Sequence, residues 1–326
     1  MTGVAGTLRI HFSDRDFLHV QFAKAPDPIW EAILALHVLT SPGHRVPVRL
    51  RPWRRRARHR TGTELRRTCR LLADLAPPDA AYWPDFLTPV ESEDGLAAGL
   101  DALRATSAAR LAGELRVAAH HRNLPAWTRR LAAGDRGLLG QVADAVRDFH
   151  TRLIIPDWSE VHSAVAAERA LRLDAFDGGL GALLASLPAF TWQDPVLSAP
   201  YPHDHVLRLR GRGLRLIPSY FCHTTPVAIV DPRLPPVVVY PLPHRGSAPP
   251  PAPHLAPLLG TNRARVLTAL ENTTTTGALA ARLSMPDSSV SGHLKILREA
   301  GLVQSSRSGQ QVHHRLTGRG RALLGA

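Results

Sequence analysis

Between Met285 and Val303 the chain reads Met-Pro-Asp-Ser-Ser-Val-Ser-Gly-His-Leu-Lys-Ile-Leu-Arg-Glu-Ala-Gly-Leu-Val. The groups able to do chemistry here are hydroxyls, an imidazole and two cations. Ser288, Ser289, Ser291 and His293 offer hydrogen bonds to base edges or phosphates, and Lys295 and Arg298 offer charge to phosphates. Val290, Leu294 and Leu297 recur at i, i+4 and i+7, which puts them on one helical face. Ser288, Gly292 and Lys295 fall on the opposite face, with Ser291 beside them. Small, polar and cationic side chains suit close approach to a phosphate backbone. Plainer readings stand beside this one. Each serine can be solvated helix surface, Arg298 can pair with an acid of the scaffold, and His293 flanks the apolar stripe and can pack.

The elements that must position this face follow from its neighbours. Pro286 and Asp287 open the helix, where an acid suits the positive end of the dipole, and Gly301 stops it. Thr261 can cap a helix carrying Val266, Leu267 and Leu270, and Thr276 can cap a second over 277–283 with Leu279 and Leu283 inward. Residues 302–306 and 311–316 can pair across Arg307-Ser-Gly-Gln310, with Val312, His314 and Leu316 inward and Gln311, His313 and Arg315 outward. Arg307 and Gln310 join the candidate contact residues from that turn. Helix, helix, turn, helix, hairpin is the winged-helix order. Residues 255–326 hold nine basic and three acidic residues, a balance of +6.

This region resembles the ArsR family of bacterial transcriptional regulators. The resemblance is carried by Leu279-Ala-Ala-Arg-Leu283, by Val290 through Val303, by the Arg307-Ser-Gly309 turn and by Val312-His-His-Arg-Leu-Thr317. It implies a homodimer that binds an inverted repeat in double-stranded DNA, usually as a repressor. The N-terminal part more weakly resembles the long extension of uncharacterised regulators of that family, which brings no known ligand. Two departures stand out. The family usually has a larger polar or basic residue where Gly292 stands, and a serine or threonine cap where Pro286 stands. The family's best-known metal sensors carry a cysteine pair on the helix before the recognition helix. Gly277-Ala-Leu-Ala-Ala-Arg-Leu283 has no ligand-type residue, and 318–324 lacks His, Asp and Glu, so no metal and no cofactor is expected.

The whole chain has 326 residues, enough for two domains, and a net charge of +13, which favours a polyanionic partner. Only Lys24 and Lys295 are lysines, so the arginine excess reflects a GC-rich genome as readily as chemistry. Two cysteines are too few for a disulfide framework and read as reduced thiols. No apolar run is long enough to span a membrane, and Met1-Thr-Gly-Val-Ala-Gly lacks the pattern of a signal peptide, so a cytoplasmic location is expected. The G-x-S-x-G, H-E-x-x-H and Walker patterns are missing, so no catalytic residues are assigned.

The expected class is mainly α (α+β), with 1–245 a mostly helical regulatory or dimerisation domain containing a small antiparallel sheet, 246–254 a Pro-rich linker, and 255–326 a winged helix. Helices are expected from Asp27-Pro28 to Leu39 and over 94–120, 138–154, 160–176 and 180–187. Residues 13–22 fit either a helix opened by Ser13 and Asp16 or a strand. A hairpin is expected around Gly211-Arg-Gly213, with strands at 218–223 and 236–240. On such a strand Cys222 and His223 diverge, and a packed cysteine is the reading. Residues 44–70 carry eleven arginines and one acid, Glu64. They form either a nucleic-acid or acidic-ligand contact or a solvated face whose complement is Asp74, Asp79, Glu91, Glu93 and Asp94. Three functions follow: a DNA-binding regulator, a ligand-sensing or protein-interaction module with DNA binding as output, and an enzyme fused to a winged helix.

Overall fold

Apolar alternation and helical stripes resolve into two compact units, Met1–Leu242 and Pro243–Ala326. The computed structural model describes residues 6–223, 225–229, 231–243, 255–270, 274–283, 285–308 and 311–324. The Pro-rich segment 246–254 lies outside the described residues.

The first unit runs β1 (Gly6–His11), α1 (Asp14–Phe17), β2 (Val20–Phe22), α2 (Pro28–Thr40), α3 (Arg51–Arg60), α4 (Thr63–Leu75), α5 (Leu96–Ala105), α6 (Ala108–His121), α7 (Thr128–Ala132), α8 (Arg136–Phe149), α9 (Trp158–Phe176), α10 (Gly179–Ser186), β3 (Thr191–Gln193), β4 (Val196–Tyr201), β5 (His205–Arg208), β6 (Leu214–Ser219), β7 (Val227–Ala228) and β8 (Val237–Pro241). Both readings of 13–22 hold in turn. Asp16 accepts hydrogen bonds from the Ser13 amide and hydroxyl to open α1, and β2 follows. α2 starts where Asp27 accepts from the amides of Ile29 and Trp30. It is buried from Pro28 to Leu39, so the helical core packs around it.

The class is mainly α with small sheets, but the sheet differs from the expected antiparallel one. Among the described residues of this unit the strands form two mixed sheets, ordered β3-β4-β1-β5 and β2-β6-β8-β7. β1 pairs parallel with β5, and β6 pairs parallel with both β2 and β8. The expected hairpin around Gly211-Arg-Gly213 is therefore a crossing between sheets. Both faces of β6 and β8 are covered: Ile217, Val237 and Val239 join the helical core, while Leu216, Val238 and Tyr240 join a second core with β1, β4 and α10. Parallel strands buried on both faces carry unbroken apolar runs. Cys222 lies beyond the end of β6, buried, and burial pushes its thiol pKa up.

Buried polar groups pin α2 to these strands. Glu31 accepts from the Ser219 hydroxyl at 2.9 Å and from the Tyr220 and Phe221 amides at 2.8 and 3.1 Å. Its burial pushes the carboxyl up to about 7 against those stabilising donors. Trp53 of α3 packs on Phe221 and donates to the Leu153 carbonyl at 3.2 Å.

The basic stretch sorts into faces. Arg45 pairs with Asp79, while Arg56 and Arg60 both reach Asp157. Arg49 donates to the carbonyls of Tyr220 and Cys222, and Arg54 to those of Leu39 and Ser41. Of the five acids expected as its complement, Asp79 alone makes an ion pair with it. Asp74 instead accepts from Trp127, and Glu93 pairs with Arg215.

His150 follows α8 in a single π turn, 3% exposed against Trp158, with no hydrogen bond to either ring nitrogen. Burial pushes its pKa down to about 4. Below about pH 6.5 the unfolded chain takes up a proton that the folded chain takes up only near pH 4. His150 therefore costs stability progressively as pH falls through that window. His150→Phe is expected to gain about 1–2 kcal/mol over the parent on going from pH 7.5 to pH 5, read by urea unfolding. A gap between the two proteins that stays constant with pH contradicts a neutral, solvent-excluded His150.

Candidate nucleic-acid interface

The second unit runs α11 (Leu255–Leu259), α12 (Thr261–Thr268), β9 (Thr274–Thr275), α13 (Thr276–Leu283), α14 (Asp287–Glu299), β10 (Val303–Ser308), β11 (Gln311–Leu316) and α15 (Gly318–Leu324). β10 and β11 form an antiparallel hairpin, and β9 adds to β11. This is a winged helix. Its core gathers Val266 and Leu267 from α12, Leu270 from the turn after it, Leu279 and Leu283 from α13, Val290, Leu294 and Leu297 from α14, and Val303 and Leu316 from the hairpin.

The caps fall one residue from where the sequence suggested. Gly260, with φ +81°, precedes α12, and Thr261 is its first residue. Thr275, rather than Thr276, accepts from the Ala278 amide at 3.3 Å. Thr276 turns instead to His314, whose ring bridges the Thr276 hydroxyl at 2.9 Å and the Ser305 hydroxyl at 2.8 Å. His314 is buried as expected and ties the hairpin to the start of α13. Val312, expected inward, is 42% exposed because it precedes the part of the hairpin that the core covers.

α14 ends in a Schellman motif. The Gly301 amide donates to the Arg298 carbonyl at 2.9 Å and the Leu302 amide to that of Leu297 at 3.0 Å, with Gly301 at φ +70°. At the other end Pro286 precedes the helix and no side chain caps it, so its first-turn amides are left open.

Burial of Val290, Leu294 and Leu297 turns the rest of α14 outward. Ser288, Ser289, Ser291, Gly292, Lys295 and Arg298 are exposed, and His293 is half-buried on the flank. None of these side chains has a hydrogen-bond or ion-pair partner among the described residues, so Arg298 is not held by a scaffold acid. Arg298 lies close enough to His314 that its charge, after burial, helps lower the imidazole's pKa. Arg307 is exposed on β10, and Gln310 lies outside the described residues. Other cations of this unit serve the fold: Arg265 donates to the Leu283 carbonyl and Arg282 to that of Ala269, closing the ends of α13 and α12.

One member of this face was missed. Ile296 is 43% exposed, one turn on from Gly292. Its spacing from Ser289 and Gly292 already set it off the Val290–Leu294–Leu297 stripe, but its residue type suggested core.

A family model described as a helix-turn-helix domain matches residues 261–305. The match runs from the start of α12 into β10 and contains all of α13 and α14. The second unit therefore holds a helix-turn-helix DNA-binding domain. No curated protein and no solved structure matches the chain significantly. Among the described residues no helix is long and apolar enough to cross a membrane.

Gly292 has no packing reason for lacking a side chain, since a Cβ there would meet nothing within 4 Å. Glycine inside an exposed helix costs about 0.5–1 kcal/mol relative to alanine. Gly292→Ala is expected to stabilise the folded chain by that amount in chemical unfolding. A loss of stability would show that the position is constrained by the fold itself.

Proposed function

We propose that the chain is a sequence-specific transcriptional regulator of the ArsR type, acting in the cytoplasm as a homodimer on an inverted repeat, usually as a repressor. The observation that carries this reading is the outer face of α14: serines, a glycine and two cations without an ion-pair partner among the described residues, turned to solvent by a buried apolar stripe. In this reading α14 enters the major groove and the β10–β11 wing runs along the backbone. Lys295 and Arg298, with Arg307 and Gln310 of the wing, contact phosphates. Ser288, Ser289, Ser291 and His293 supply hydrogen bonds to base edges or phosphates, and Ile296 supplies an apolar contact of the kind that suits a thymine methyl. Gly292 lets the helix backbone approach closely. The dimer, the inverted repeat and repression follow from the family resemblance, and the first unit is assigned regulation and dimerisation on the same ground.

Two outcomes test it. Genome-wide footprinting of the bound protein is expected to return an inverted repeat with half-sites about 10–10.5 base pairs apart, or a multiple of that spacing; asymmetric sites would remove the dimer. Lys295→Ala is expected to weaken binding to specific and unrelated duplexes alike, and to lower the slope of log affinity against log salt by about one. Unchanged affinity and slope would show that α14 does not lie on the DNA.

A further inference from the structure

α3 carries its arginines on two faces with opposite fates. Arg56 and Arg60 share one carboxylate, Asp157, at 2.7 and 3.2 Å. Arg51, Arg55 and Arg58 recur at i, i+4 and i+7 on another face and line an open groove of about 670 Å³ with His44 and His59. Among the described residues no acid lines this groove. Arg55 and Arg58 have no hydrogen-bond or ion-pair partner among the described residues.

Arg54 forms the groove's base. It is 7% exposed, and its Nε and Nη2 donate to the carbonyls of Leu39 and Ser41. The guanidinium is thus fixed in place without a carboxylate, which leaves a buried charge uncompensated. Its remaining nitrogen, Nη1, lies beside Gly43, where an added Cβ would sit 3.2 Å away. The glycine leaves that nitrogen open to the groove.

We propose that this groove is an anion site for a small molecule bearing more than one phosphate group. Fixed, planar guanidinium forks are matched to phosphate oxygens. Arg51 and Arg58 are separated by about 10 Å along the helix axis, at 1.5 Å per residue, which is more than a single phosphate spans. The volume falls in the range of small-molecule sites, about 300–1,000 Å³. The sunken position of Arg54 selects against a nucleic-acid backbone. A terminal phosphate can reach behind the helix surface, whereas a phosphodiester held in a duplex stays outside it. The site lies in the first unit and stands independently of the DNA-binding reading.

The test is calorimetric titration of the full-length protein with sodium pyrophosphate and, separately, orthophosphate in low-chloride buffer. Saturable binding is expected, with pyrophosphate the tighter. The double variant Arg55→Ala/Arg58→Ala is expected to weaken pyrophosphate at least about tenfold while leaving thermal unfolding of the unliganded protein unchanged. Gly43→Val keeps every arginine and is expected to weaken pyrophosphate as well, by covering Arg54 Nη1. Absence of saturable heat up to millimolar pyrophosphate overturns the site, and so does a double variant that binds like the parent. A double variant that changes only the salt dependence of duplex binding, with no pyrophosphate response in the parent, assigns the patch to nucleic acid instead. Lys295→Ala leaves the pyrophosphate result untouched, so failure of the DNA reading and failure of this one are separable.

Discussion

Burial of Val290, Leu294 and Leu297 on one side of α14 is the constraint from which the candidate interface follows. A 13-residue helix is marginal in water on its own, and its stability comes from packing. Each of those side chains contributes about 1.5–3 kcal/mol when fully buried, which outweighs any preference of the polar face. Rotating the helix to present another face would expose all three. The Schellman turn at Gly301 then sets the direction in which the chain leaves, and β10 starts two residues later. Helix face and wing position are thus consequences of one packing arrangement, reinforced where His314 bonds across to Thr276 and Ser305.

What could be read from the sequence divides along the range of the interactions. The second unit was legible because its signals are local: a helical stripe, a stopping glycine, alternation on two strands. Its errors come from longer range. Thr275 and Thr276 are both competent caps, and the choice between them depends on His314, 38 positions from Thr276. In the first unit α2, α8, α9 and α10 were legible for the same reason, but α3, α4 and α7 were not expected, the stretch 94–120 divides into α5 and α6, and the sheet pairing was not legible. β1 meets β4 and β5, and β2 meets β6, almost the whole unit away. Alternation marks a strand without naming its partner. Val237-Val-Val-Tyr240 did hold a usable sign, since an unbroken apolar run belongs to a strand covered on both faces.

Arginine explains why net charge was a blunt guide. A guanidinium can satisfy carbonyls that helix ends and loops leave open, and Arg49, Arg54, Arg122, Arg265 and Arg282 all do so. Those residues count toward the +13 of the chain but turn these donors to the scaffold, Arg54 keeping its Nη1 for the groove beside α3. The informative charges are the ones with no internal partner. Lys295 is one of two lysines in the chain, and it stands on the exposed face of α14 beside Gly292. A flexible ammonium on an exposed helix face makes a serviceable phosphate contact. Its placement therefore says more about α14 than the arginine excess says about the chain.

The bareness of that face has an energetic consequence. A well-placed bidentate contact discriminates against a wrong base by about 1–3 kcal/mol, and Gly292 removes one position from which such a contact could come. Serine hydroxyls donate and accept alike, so they restrict base identity less than an amide or guanidinium does. In the proposed reading a single α14 holds DNA largely through phosphates, which carry little sequence information. On the proposed homodimer, selectivity must come from requirements that a single copy cannot impose. These are two half-sites at a fixed spacing and a duplex whose deformability suits both wings at once. Such a protein tolerates base changes within each half-site better than changes in the distance between them.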